Sequence, residues 1–461
     1  MDTSAKTPDS IEAKLGLWDA VSIIVGIIIG VGIFETPHDI FSMVPHPAYA
    51  IGLWVLGGAL AFIGALCFAE LASAYPRSGG EYVYLTRAFG PLTGFLFAWS
   101  QLSVTRSGSV ASMAYIFGVH TALLLGYDDD KTIFLLAGMS VVVLTAVNVL
   151  GVRMGTRTQN VLTVAKVLGL AALIVVGFGW GNPTALEPTT PAPMQGAWFA
   201  SAMVFVLWTY AGWHEAAYIV SEAKNSARNI PLALMIGTLI VTVIYLLVNF
   251  ALLYGLDFEG AKDKQATEKL LELAWPTYGA RVMSVLIMVS SLGAINGMIF
   301  TTARIYSEFG VDHRIFKTMS HWSKRWRTPA RALIIQGVIC LAMIAGVWLA
   351  GGGDPFYKTV KLTVAVFWAF FCLTGVSLIL LRERDPGTPR PFRVPGYPVL
   401  PIIFCGWCAY IVIATIVDDY VKDSGESLIG VAILFVGLPL YYLPKKLKAQ
   451  SVQADLQPMS K

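Results

Sequence analysis

Twelve apolar runs, separated by short polar connectors, dominate this chain of 461 residues: 18–43, 48–75, 91–125, 132–152, 158–180, 197–222, 231–254, 280–308, 330–350, 356–381, 398–417 and 428–444. A helix of about 20 apolar residues crosses a hydrocarbon core of about 30 Å. Within lipid every backbone N–H and C=O must be satisfied inside the protein, and a helix does this along its own length. The chain is therefore expected to be an all-α polytopic membrane protein whose first partner is the lipid bilayer. It is 56% hydrophobic and 13% charged, against roughly 45–50% and 25% in soluble domains.

The remaining composition narrows the function. A formal net charge of +4, with the basic residues dispersed among connectors, gives no nucleic-acid footprint. Residues 1–17 are polar and lack the apolar core of a leader peptide, so none is expected. The five cysteines fall in apolar runs and suggest no disulfide framework; Cys405 and Cys408 read as membrane-buried thiols. Most Lys and Arg, among them Arg77, Arg87, Lys224, Arg228, Arg331 and Arg382, lie at the termini or after even-numbered runs. That bias places both termini in the cytoplasm of a cell (plasma or inner) membrane.

Two runs are interrupted. Gly26, Gly30 and Gly32 fall within Gly26–Phe34 of the first run, and each glycine costs a helix roughly 1 kcal/mol relative to alanine. The sixth carries Trp208-Thr209-Tyr210-Ala211-Gly212-Trp213-His214-Glu215, with two ionisable side chains where hydrocarbon penalises charge. Broken backbone at membrane depth persists only inside protein or along a cavity. Breaks at corresponding positions of two five-helix halves are the signature of an inverted-repeat transporter. The expected organisation is a cytoplasmic segment 1–17, a first repeat 18–180, a second 197–381, two further helices within 398–444 and a cytoplasmic tail 445–461.

An outer half-helix starting near Gly30 would present the N–H groups of Gly30, Val31 and Gly32 to an anion. The carbonyls of Ile28 and of the sixth run beyond Trp208 would face an ammonium. An α-amino acid carries both groups at this separation. The competing reading is that the glycines serve only close helix packing; the second break favours transport.

Gly26–Phe34, the connector Tyr75–Tyr82 (YPRSGGEY) and Thr209–Trp213 (TYAGW) resemble motifs of the amino acid-polyamine-organocation superfamily, especially its L-type amino acid transporter branch. Arg106–Ser109, Ala165-Lys166 and Pro389–Phe392 are similar too, in the family's order. The resemblance implies a LeuT-type fold of five-plus-five inverted repeats with 12 transmembrane helices, helices 1 and 6 broken, working by alternating access. It implies a carboxylate on the amides of Gly30, Val31 and Gly32, an amino group on carbonyls at Ile28, Trp208 and Ala211, and Trp208 closing over the substrate. It also implies that Lys166 stands where sodium-coupled relatives hold an ion, near Ser290, Ser291 and Asn296; the alternative is a lysine that snorkels to an interface.

Thr209 either reaches substrate or satisfies the broken backbone, and Asn249 either lines the site or bridges helices. Tyr210 and Trp213 read as packing residues, and Glu35 as part of an outer vestibule. Arg106 is expected to pair with Glu70 or Glu215. Either the Glu215 carboxylate selects a cationic side chain, or His214 titrates near neutral pH and couples protons. Animal members of the branch hold a single-span partner through a cysteine in the loop after the third helix; residues 125–132 contain none, so no covalent heavy-chain subunit is expected. The reading is a sodium-independent carrier, an exchanger of small or medium neutral L-amino acids, without metal, cofactor or enzymatic activity. Alternatives are a proton-coupled symporter, a cationic amino acid or polyamine carrier, and a non-transporting amino acid receptor.

Overall fold

The computed structural model describes residues 15–181, 198–323, 325–351, 355–422 and 425–455. The first fourteen residues of segment 1–17, and the tail beyond residue 455, lie outside them. Two helices make up the first run, α1 (Leu17–Ile28) and α2 (Gly32–Met43), bent by 45° at a break of three residues. There follow α3 (Pro47–Ala74), a short α4 (Glu81–Phe89), and a long span Pro91–Leu125 in which α5 (Pro91–Ser100) passes through a π-helical turn, Gln101–Thr105, into α6 (Arg106–Leu125). Next come α7 (Asp130–Val149) and α8 (Val152–Trp180). The sixth run is α9 (Trp198–Tyr210) and a 3₁₀ segment, Trp213–Glu222. The chain continues as α10 (Ser226–Ala261), α11 (Ala266–Glu272), α12 (Gly279–Asp312), α13 (Ala330–Ala350), α14 (Pro355–Arg384), α15 (Val399–Lys422) and α16 (Glu426–Asp455).

Among the described residues, ten helices are long and apolar enough to cross a membrane, or eleven with α1 and α2 taken as one. The sixth run falls outside that number because its regular α-helix has only 13 residues, too few for the bilayer core. Helix ends follow local chemistry. His46 accepts a hydrogen bond from the Ala48 N–H ahead of α3, with Pro47 as the first helical residue, where its missing donor costs nothing. Asp129 caps α7 through the Thr132 N–H at 2.8 Å.

α1 lies in the middle of the bundle, packed against α8, α10, α12 and the 3₁₀ segment. Every residue from Ile23 to Phe34 is buried, which gives a broken backbone the protein surroundings it needs. Ion pairs tie elements together at the ends of α3, α12 and α14: Arg382 with Glu70 at 2.5 Å, Arg77 with Glu308 at 2.7 Å, and Arg304 with Glu222 at 2.7 Å. Glu70 is thus taken by Arg382 and is not the partner of Arg106.

Candidate functional site

The first break is a tight turn. The Gly30 N–H donates to the Ile28 carbonyl at 2.7 Å, so the ladder of α1 stops there. α2 then starts with the N–H groups of Val31, Gly32 and Ile33 lacking an acceptor among the described residues. The free donors are therefore displaced by one residue from Gly30, Val31 and Gly32, because the turn consumes the Gly30 amide. Three consecutive buried N–H groups at a helix N-terminus form a concentrated site for negative charge.

At the second break the Ala211 N–H returns to the Trp208 carbonyl at 3.1 Å, and Gly212 has φ +120°. A side chain at Gly212 would meet the Ile27 Cγ2 at 2.9 Å and the Ile28 nitrogen at 3.3 Å. Glycine is what lets the two breaks touch. They also share a donor that the sequence did not reveal: the Tyr245 hydroxyl of α10 lies 2.7 Å from the Ile28 carbonyl oxygen and 3.2 Å from that of Thr209.

Between the breaks lies a cavity of about 70 Å³, room for several waters at roughly 10–15 Å³ each. Ile28, Gly30, Gly32, Trp208, Thr209, Ala211 and His214 are in its wall, and Val31 and Asn249 are not. Asn249 is buried in α10, where its amide donates to the Tyr245 carbonyl at 2.8 Å. Thr209 does two jobs: it faces the cavity, and its hydroxyl donates to the Phe205 carbonyl at 2.8 Å. Its oxygen also lies 2.9 Å from the Thr36 hydroxyl of α2. The wall also includes Arg106, Ser109 and Met113 of α6, Met298 of α12, and Thr363 and Phe367 of α14. Trp208 meets Phe356 edge to face, with ring centres 5.2 Å apart.

Lys166 is fully buried and does not snorkel. Its ammonium donates to the carbonyls of Gly26 at 2.8 Å, Ile29 at 2.6 Å and Ser290 at 3.1 Å, joining α8 to the first break and to α12. The Ser290 hydroxyl adds a bond to the Ile29 carbonyl at 3.2 Å. Three carbonyl oxygens around one charge resemble the oxygen shell of a hard cation. Asn296 bonds elsewhere, to Gln159 at 2.9 Å and Asn148 at 2.8 Å. Ser291 bonds within its own helix to the Ile287 carbonyl.

Arg106 pairs with Glu215 at 2.5 Å, and its second terminal nitrogen is 3.5 Å from His214 Nε2. Thr301 donates to the other oxygen of Glu215. The Glu215 carboxylate is thereby committed and is absent from the cavity wall. Tyr210 bonds to the Trp54 carbonyl at 3.1 Å, and Trp213 packs on Phe68 and Phe371. Glu35 meets His120 at 3.3 Å, and neither is in the cavity wall.

A model of the amino acid permease family matches residues 15–438. The chain is 32% identical to the mouse b(0,+)-type amino acid transporter 1, over all of this chain and 93% of the relative. It is 29% identical to the serine/threonine exchanger SteT of Bacillus subtilis, over 96% and 99% of the two chains. Against the rabbit large neutral amino acids transporter small subunit 2 the figures are 28% over 94% and 81%. The family model thus runs through both breaks, the lysine between them and the cavity they enclose, and the chain belongs to the amino acid permease family.

Proposed function

We propose that the protein exchanges small or medium neutral L-amino acids across a cell membrane without sodium. The observation that carries this reading is the cavity between the two breaks, whose wall includes Gly32, one of the three residues with a free N–H, together with Ile28, Trp208 and Ala211. The free donor at Gly32 and the backbone of Ala211 thus border one small cavity, fit for a carboxylate and an ammonium. The lysine ammonium on Gly26, Ile29 and Ser290 supplies a fixed positive charge where an ion would otherwise brace the break.

In this mechanism Val31 and Gly32 bind the carboxylate together with Ile33. Trp208 closes the outer side, and His214 and Thr209 face the substrate side chain. Asn249 acts only by stiffening α10. The 5+5 repeat organisation over 18–180 and 197–381, with 12 spans and cytoplasmic termini, is part of the proposal; the breaks in the first and sixth runs support the repeat, and the distribution of Lys and Arg supports the orientation. The rabbit relative is named as a small subunit; this chain has no cysteine between residues 125 and 132, and we propose that it works without a covalently attached partner.

Counterflow into proteoliposomes preloaded with single amino acids tests the reading. Accumulation of a neutral amino acid, equal in sodium and in potassium buffer, supports it. Uptake that needs sodium, or lipid-bound protein that binds amino acids with no flux, refutes it.

A further inference from the structure

Behind the cavity lies a buried cluster of ionisable groups whose charges do not balance. Glu81 of α4 and Glu215 of the 3₁₀ segment bring two carboxylates, and Arg106 brings one fixed positive charge; all three are buried. His214, also buried, stands between them, with Nε2 3.5 Å from Arg106 and 3.9 Å from the Oε1 of Glu81. Arg106 is spent on Glu215 at 2.5 Å. Glu81 therefore has no fixed cation of its own; it accepts one bond from the Tyr218 hydroxyl at 3.0 Å, and its second oxygen has no partner.

The neighbours do not supply the missing charge. Beside Glu81 on α4 is the Tyr84 hydroxyl, itself without a partner. From the 3₁₀ segment come His214, Glu215 and Tyr218, from α6 Arg106, and from α12 Thr301 and Tyr306, the latter bonded to the Gln101 carbonyl at 3.0 Å. From α14, Arg382 is held by Glu70, and Arg384 donates to the Ala88 carbonyl at 2.6 Å. An uncompensated buried carboxylate is among the most expensive states a protein interior can hold, and it is relieved by taking up a proton. Burial pushes the Glu81 carboxyl up to about 8, against the opposing pull of its own backbone and the Tyr218 hydroxyl.

We propose that Glu81 and His214 form a binding site for one proton, loaded from the substrate cavity through His214 and released at the face that bears α4 when that face opens. The inference rests on the exchange reading above and adds a coupled ion to it. His214 belongs to the cavity wall and Glu81 does not, so the pair joins the substrate chamber to the connector between the second and third spans. The proton passes from His214 Nε2 to a Glu81 oxygen, leaving a neutral imidazole and a neutral acid. The cluster then carries no net charge while α4 is packed down. The packed state holds more protons than the open one and is favoured at low pH; opening α4 to water lowers the affinity of Glu81 and frees the proton.

The test pairs two measurements on the reconstituted full chain. Infrared difference spectra between about pH 6 and about pH 9 are expected to show a carboxylic acid lost with a midpoint above the usual carboxylate range, absent in Glu81→Gln. Tyr218→Phe, which removes a bond that favours the charged form, is expected to move that midpoint upward. In exchange assays the wild type is expected to change rate at least about threefold over the same interval, and Glu81→Gln to stay flat while keeping its acid-side rate within about twofold. An infrared signal identical in Glu81→Gln, or a pH profile that this variant leaves unchanged, overturns the proposal. Absence of any exchange by the wild type overturns the exchange reading instead, and the infrared result then still decides whether the proton site exists.

Discussion

The Lys166 ammonium lies 2.6 Å from the carbonyl oxygen of Ile29, the residue at which the first helix stops. The contact joins the lysine of α8 to backbone that has lost its own helical donor. It therefore holds the break open and neutralises the negative end of α1 at the same point.

Replacing Lys166 by alanine leaves three buried carbonyls without this donor. Exchange is expected to fall by at least about 100-fold, since a buried intramembrane charge with such partners is functional by default. Counterflow measures it; wild-type flux in Lys166→Ala removes the residue from the mechanism.

Trp208→Ala opens the cavity on the side where the indole meets Phe356. The apparent substrate constant is expected to rise about tenfold, or about 1.4 kcal/mol, with a smaller change in maximal rate. Concentration dependence of uptake separates the two; unchanged kinetics rule out closure by this residue.

Gly32 has no room for a side chain. A Cβ there would lie 2.9 Å from the Thr209 oxygen and 3.1 Å from the Trp208 ring. Gly32→Ala is expected to cost about 1–3 kcal/mol by overpacking and to reduce substrate binding more than it lowers the melting temperature. Thermal shift and binding measured on the same sample decide this, and full binding by the variant defeats it.

Tyr245→Phe withdraws the hydroxyl shared by the Ile28 and Thr209 carbonyls. Ile28 keeps its bond from the Gly30 N–H, but the Thr209 carbonyl loses this donor, and a buried acceptor left unpaired costs roughly 1–3 kcal/mol, so both stability and exchange should fall. A phenylalanine variant as stable and active as the wild type shows that the hydroxyl is dispensable.

The membrane spans were legible because a bilayer imposes a length and a polarity that hydropathy records directly; 330–350 coincides with α13, and 91–125 with the span of α5 and α6. Helices α4 and α11 were read as connectors, since seven to nine residues of mixed polarity leave no hydropathy signal. At the site, the two interruptions and Lys166 announced themselves as exceptions within apolar sequence. The free N–H of Ile33 did not, because it follows from the tight turn at Gly30, which shifts the unpaired amides by one residue. Tyr245 was equally hidden: a tyrosine in an apolar helix is ordinary, and only tertiary packing brings its hydroxyl to both breaks. The choice of Glu215 over Glu70 for Arg106 needed coordinates, because either acid was compatible with the spacing.

The hydroxyls of Thr36 and Thr209 lie 2.9 Å apart and bring α2 of the first run against α9 of the sixth. The contact couples the positions of α2 and α9, so a displacement of either helix at this point separates the two hydroxyls.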